Sequence, residues 1–131
     1  MKQKPEKIIY ENQEEVYNQI LIFVKSILPM EVINAYLWGS VVERKFGVYK
    51  EKFGNHEGSD IDVIVIIPNK KIPSTWKSLK TQKDWWFLYR GGKIEINKKI
   101  HRVDLMIVKD GMEEYARNRI KEKNWNIEVI K

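Results

Sequence analysis

The sequence contains no cysteine, which excludes disulfide scaffolds, thiolate zinc sites, iron–sulfur clusters and cysteine nucleophiles together. Any metal must be held by oxygen or by the two histidines. Glycine and proline are scarce, 7 and 4 among 131 residues, so collagen-like and low-complexity architectures are excluded. No apolar run approaches the ~18 residues that cross a bilayer, and the lysine-rich start passes into acids rather than into an apolar signal core. The expectation is a soluble, cytoplasmic protein with no membrane partner. What is present suffices for one core: 43% of residues are hydrophobic and 11% aromatic, which points to a single domain over 1–131.

Charge is distributed unevenly. Residues 1–67 carry 8 basic and 10 acidic side chains, net −2, whereas 68–131 carry 16 basic and 8 acidic, net +8. Within 69–102, 10 basic residues stand against Asp84 and Glu95 alone, interleaved with Trp76, Trp85, Trp86, Phe87 and Tyr89. Such a stretch suits a polyanion, nucleic acid included; the alternative is an ordinary solvated face rich in lysine.

Hydrophobic spacing predicts a helix over 11–28, stopped by Pro29, and a short buried strand over 32–38 that breaks at Gly39-Ser40. A short helix is expected over 41–46 and an exposed loop over 47–59, which holds three glycines and mixed charges. The β-branched run 60–67 reads as a central strand covered on both faces. A weak helix over 75–83, a hairpin turning at Gly91-Gly92, a strand over 100–108, a helix over 111–123 and a closing strand over 125–130 complete the pattern. The expected class is α/β, one small domain with a mixed β-sheet flanked by helices.

Three acids stand where a fold ordinarily puts valine or isoleucine: Asp60 and Asp62 open the most apolar strand, and Asp104 lies inside another. Residues two apart on a strand point to one side, so Asp60 and Asp62 converge, and Asp104 from a neighbouring strand completes the group. Clustered carboxylates repel unless cations neutralise them, and hard oxygen ligands favour Mg²⁺ or Mn²⁺, which in turn favour substrate phosphates. Gly39-Ser40 follows a strand and offers close backbone approach and a hydroxyl donor to an anion.

Taken in order, "LWGS", "GSDIDVIVII" and "VDLMIV" resemble the Gly-Ser turn, Asp-x-Asp strand and third-Asp strand of the DNA polymerase β-like nucleotidyltransferase superfamily, in particular its small members, the minimal nucleotidyltransferases. The resemblance runs from about Val16 to the closing strand. It implies the nucleotidyltransferase fold and a transfer of a nucleoside monophosphate, AMP from ATP or another nucleoside triphosphate, to a hydroxyl of a protein or small molecule. By the same resemblance Asp60, Asp62 and Asp104 are catalytic and hold two Mg²⁺ or Mn²⁺ ions, and Gly39 and Ser40 hold the triphosphate; Arg44, a cation near the mouth, and Ser59 are further candidate nucleotide contacts. It also suggests a toxin-like partner chain whose tyrosine is the acceptor, with this chain as antitoxin. Two departures stand out: 19 residues separate Ser40 from Asp60, a long spacer, and the Trp-rich basic segment 76–102 has no counterpart.

Each residue also has a plainer use. Asp60 and Asp62 could cap a strand, and Asp104 could pair with Arg102 or His101. His56 and His101 read as surface or turn residues, because neither has a partner at metal-ligand spacing. The tryptophans read as core, with Trp76 or Trp85 as candidates for stacking on a base. Ser40 lacks the flanking pattern of a hydrolase nucleophile. A non-catalytic module that binds a partner or nucleic acid through 69–102 is the rival function; the base, the acceptor and the oligomeric state stay open.

Overall fold

The computed structural model describes residues 6–53, 56–123 and 126–131. Strand β1 (Lys7–Ile9) leads into helix α1 (Gln13–Ile27). Val16, Tyr17, Ile20 and Val24 bury one stripe of α1, with Glu14 and Glu15 in its first turn and Lys25 in its last, the charge order the helix dipole favours. There follow β2 (Asn34–Trp38), a 3₁₀ turn (Gly39–Val41), β3 (Gly47–Phe53), β4 (His56–Gly58), β5 (Ile61–Ile66), β6 (Lys77–Gln82), β7 (Trp86–Ile96), β8 (Lys99–Val108), α2 (Glu113–Glu122) and β9 (Ile127–Val129).

Six strands form a mixed sheet in the order β6-β7-β8-β5-β2-β9. β5 and β8 run parallel, and the other neighbours are antiparallel. The crossover that parallel pairing requires is made by the β6–β7 excursion rather than by a helix. β5 is covered on both faces, as its unbroken apolar run demands. Ile61, Val63 and Val65 join Leu37, Val103, Leu105 and Ile107 in the core under α1. Ile64 and Ile66 face the other way and join Met106, Val108 and the α2 residues Ala116 and Ile120.

Four expected elements differ from what the chain adopts. The stretch 47–59 is not a loop: β3 pairs with β1 on one side and β4 on the other, making a separate three-stranded antiparallel sheet. Gly47 there is a packing glycine, since a Cβ would run into the Ile8 carbonyl oxygen across the β1–β3 pair. The long spacer is therefore a second small sheet. The expected helix at 41–46 shrinks to the 3₁₀ turn and a reversal in which Arg44 takes a φ of 60°. The expected weak helix at 75–83 is instead edge strand β6, because pairing with β7 overrides a marginal local propensity. Finally, Gly91-Gly92 does not turn the chain. β7 passes straight through it with a bulge between Arg90 and Gly92, and the hairpin closes at Asn97-Lys98, both at positive φ, between the paired Ile96 and Lys99.

Trp76 and Trp85 are buried, as the core assignment expects; Trp125 lies outside the described residues. His101, expected at the surface, is buried with 1% of its area exposed, and the His56 side chain lies outside the described residues. Among the described residues, no helix is long and apolar enough to cross a membrane.

Candidate functional site

The apolar rows of the α2-covered face give way at one end to a polar row that crosses four strands. Trp38 on β2 lies opposite Asp62 on β5, Asp62 opposite Asp104 on β8, and Asp104 opposite Arg90 on β7. Neighbouring strands lie about 4.8 Å apart, so the parallel β5–β8 register sets Asp62 and Asp104 on adjacent backbone positions. Asp60 stands one residue before β5, near enough for its charge to act on Asp104. The three acids that the sequence singled out are thus brought to one end of one face.

Two arginines answer them. Arg90 donates from Nε to Asp104 Oδ1 at 3.0 Å, and Arg102 Nε stands 3.5 Å from Asp60 Oδ1. All four side chains are largely shielded from solvent, so these pairs feel each other more than surface pairs do. Of the pairings weighed for Asp104, Arg102 acts on it through charge, while the hydrogen-bonded ion pair is made by Arg90. Even so, the Asp104 carboxyl is pushed above its ordinary range, first by burial and then by repulsion from Asp60, with the Arg90 hydrogen bond opposing both.

Gly39 closes the site from the β2 side. Its φ is +84°, and a Cβ at this position would lie 2.9 Å from Asp62 Oδ2, so only glycine lets the turn backbone come so close to that carboxylate. Ser40 follows in the same 3₁₀ turn, half-buried. Gly39→Ala should therefore lose about 1–3 kcal/mol through the left-handed backbone and the contact with Asp62. Chemical denaturation tests this, and an alanine variant as stable as the parent refutes the account.

The other two expected nucleotide contacts are used differently. Arg44 binds Glu14 Oε1 at 2.8 Å and lies 3.8 Å above the Tyr17 ring, which fastens it to α1 on the opposite face of the sheet. Ser59 is buried, and its hydroxyl accepts from Lys7 Nζ at 3.2 Å and from the Gly47 amide at 3.3 Å. The Ser59 carbonyl is 2.7 Å from His101 Nδ1. A carbonyl only accepts, so Nδ1 carries the proton, and Nε2 meets the Tyr10 hydroxyl at 2.8 Å. Phe46 packs against the imidazole at 4.5 Å between ring centroids. His101 thereby fixes the residue immediately before Asp60 and couples the small sheet to the carboxylates.

Sequence reasoning missed both His101 and Arg90, although a signal existed for each. Along β8, His101 falls in alternation with Val103, Leu105 and Ile107, the inward positions. Along β7, Arg90 continues the alternation Trp86, Leu88 onto the face that carries Asp104.

The donor set suits a hard divalent cation. Three acidic residues lie at one end of one face, and the repulsion between Asp60 and Asp104 is one a dication would relieve. Among the described residues, no three of His, Cys, Asp or Glu already stand together at ligating positions. No protein-family model and no curated protein matches the chain.

Proposed function

We propose that the chain is a metal-dependent nucleotidyltransferase of the polymerase β-like type, which moves AMP from ATP, or the corresponding group from another nucleoside triphosphate, to a hydroxyl acceptor. The observation that carries this assignment is the β5–β8 register. It supports a three-carboxylate site by pairing Asp62 with Asp104 across the two strands, with Asp60 acting on Asp104 and Gly39 close against Asp62. Asp60, Asp62 and Asp104 would hold two Mg²⁺ or Mn²⁺ ions, which when bound neutralise charge on the attacking and leaving oxygens of an in-line displacement. The chain's own residues mostly position. The turn at Gly39 and Ser40 offers backbone donors and a hydroxyl to phosphate oxygens. His101 and Ser59 hold the start of β5 so that Asp60 is presented from a fixed backbone. A tyrosine of a partner chain is the acceptor that the sequence resemblance suggests, and it belongs to the same proposal.

The test is calorimetric titration of ATP and of the other nucleoside triphosphates, with and without Mg²⁺, on the parent protein and on Asp60→Ala/Asp62→Ala. Mg²⁺-dependent binding that disappears in the double variant is the expected result. If the parent binds no triphosphate with the metal present, the assignment fails.

One observation favours a second function. Asp104 and Asp60 already have arginine partners, an arrangement that a non-catalytic binding module could retain. Salt-dependent oligonucleotide binding that survives removal of the acids would favour that module.

A further inference from the structure

The arginines beside the carboxylates belong to a larger set. Across β7 and β6, Arg90 lies directly opposite Lys77, and across β8 and β7, Arg102 lies directly opposite Lys93. Like charges facing each other on neighbouring strands are unfavourable, yet two such pairs sit side by side at the carboxylate end of the sheet. Directly opposed residues share a face, so all four cations border the face that bears Asp104. Lys77 and Lys93 are exposed, whereas Arg90 and Arg102 are turned onto Asp104 and Asp60. The β7 bulge falls immediately after Arg90, the kind of irregularity that re-aims a side chain beside a site. Among the described residues, Arg90 spends only its Nε on Asp104, and the guanidinium has further donors in a fork that matches phosphate oxygens.

We infer that Lys77, Arg90, Lys93 and Arg102 form the strip that binds the triphosphate of the substrate, and that Arg90 and Arg102 exchange partners, from carboxylate in the metal-free protein to phosphate once divalent cations occupy the carboxylates. The inference rests on the proposed nucleotidyltransferase function and assigns that site its anion-binding residues. Charge accounts for the exchange. Three carboxylates with two arginines leave the cluster near neutrality without metal. With dications on the carboxylates, the arginines become surplus positive charge, which a triphosphate relieves. Arg44, the cation that the sequence offered for this role, is fastened to α1 instead.

The exchange predicts effects of opposite sign from one substitution. Arg90→Gln removes a cation that competes with metal, so Mn²⁺ without nucleotide should bind about fivefold more tightly, followed through the free-ion paramagnetic resonance signal. The same variant should bind ATP in the presence of Mn²⁺ about tenfold more weakly by calorimetry. A purely structural arginine would not give that divergence: its loss would weaken both or change neither. Lys77→Gln/Lys93→Gln, at exposed positions, tests the strip even if Arg90→Gln fails to fold. It should weaken ATP binding by a similar factor without weakening Mn²⁺ binding. A parent protein that binds both Mn²⁺ and ATP, with variants that bind ATP as the parent does, overturns the strip and leaves the nucleotidyltransferase assignment standing. An Arg90→Gln protein whose Mn²⁺ affinity is unchanged or lower overturns the partner exchange. A parent protein that binds neither ligand overturns both.

Discussion

Asp104→Asn should lose the proposed transfer activity and gain stability. The activity loss is expected at about 10²–10³-fold or more, the scale on which removal of one group that supports transition-state charge registers. Asparagine keeps an oxygen to accept from Arg90 Nε, so the fold retains its 3.0 Å contact while the charge leaves. The stability gain follows from the direction of the Asp104 shift. Burial and Asp60 raise its pKa above the ordinary 3.8, so ionisation is harder in the folded chain than in the unfolded one. Below the unfolded value the carboxyl is protonated in both states and contributes no penalty. As the pH rises through the unfolded and then the folded value, the penalty develops, and at neutral pH it is present in full. The metal-free asparagine variant should therefore melt above the parent at pH 7, with the gap closing as the pH falls below about 3.8. Thermal melts across that range decide the matter. A gap that persists at low pH, or a variant less stable at pH 7, would remove charge repulsion as the explanation. Together the two readouts would mark a carboxylate kept for chemistry at the expense of stability.

His101→Leu should be the most damaging single change to the fold. It strips the Ser59 carbonyl of its 2.7 Å donor and the Tyr10 hydroxyl of one partner, at 2.8 Å, beside the Phe46 ring that packs on the imidazole. The Tyr10 hydroxyl keeps the Ile96 carbonyl at 3.3 Å, whereas the Ser59 carbonyl loses its His101 donor; a lost hydrogen bond at a buried group costs roughly 1–3 kcal/mol, so a loss on the order of 2 kcal/mol is expected in chemical denaturation. Tyr10→Phe, which removes one hydroxyl and leaves the Ser59 bond, should lose only about 1 kcal/mol. The ratio of the two separates the backbone anchor at Ser59 from the contact with Tyr10, which follows β1. If His101→Leu is as stable as the parent, the histidine is ordinary filling and does not hold the start of β5.

The parts of the fold that were legible in the sequence are those that burial dictates. α1 shows in the spacing of Val16, Ile20 and Val24, and β5 shows in a β-branched run with no polar interruption after Asp62. The site's acids were legible for the converse reason, since Asp60, Asp62 and Asp104 interrupt patterns that otherwise ask for apolar side chains. What stayed hidden depends on partners distant in the chain. Strand β3, with its glycine and alternating charges, has little to mark it until β1 and β4 lie alongside. The tip at Asn97-Lys98 was hidden by a more conspicuous glycine pair that turned out to be a bulge. Arg90 looks like one more cation in a basic stretch, and only the β7–β8 register sets it opposite Asp104.

The position of β2 in the sheet has a consequence for how the molecule is made. β2 is flanked by β5 and by β9, with Trp38 facing Ile127 across the latter pair. During vectorial synthesis the strand that ends at Gly39 therefore waits, one edge unsatisfied, until residues close to position 131 have emerged. Pairings so remote in sequence close slowly. The second edge of β2, the strand that ends at Gly39, is thus covered late, and nascent chains that lack β9 would expose a strand edge that favours association with other copies.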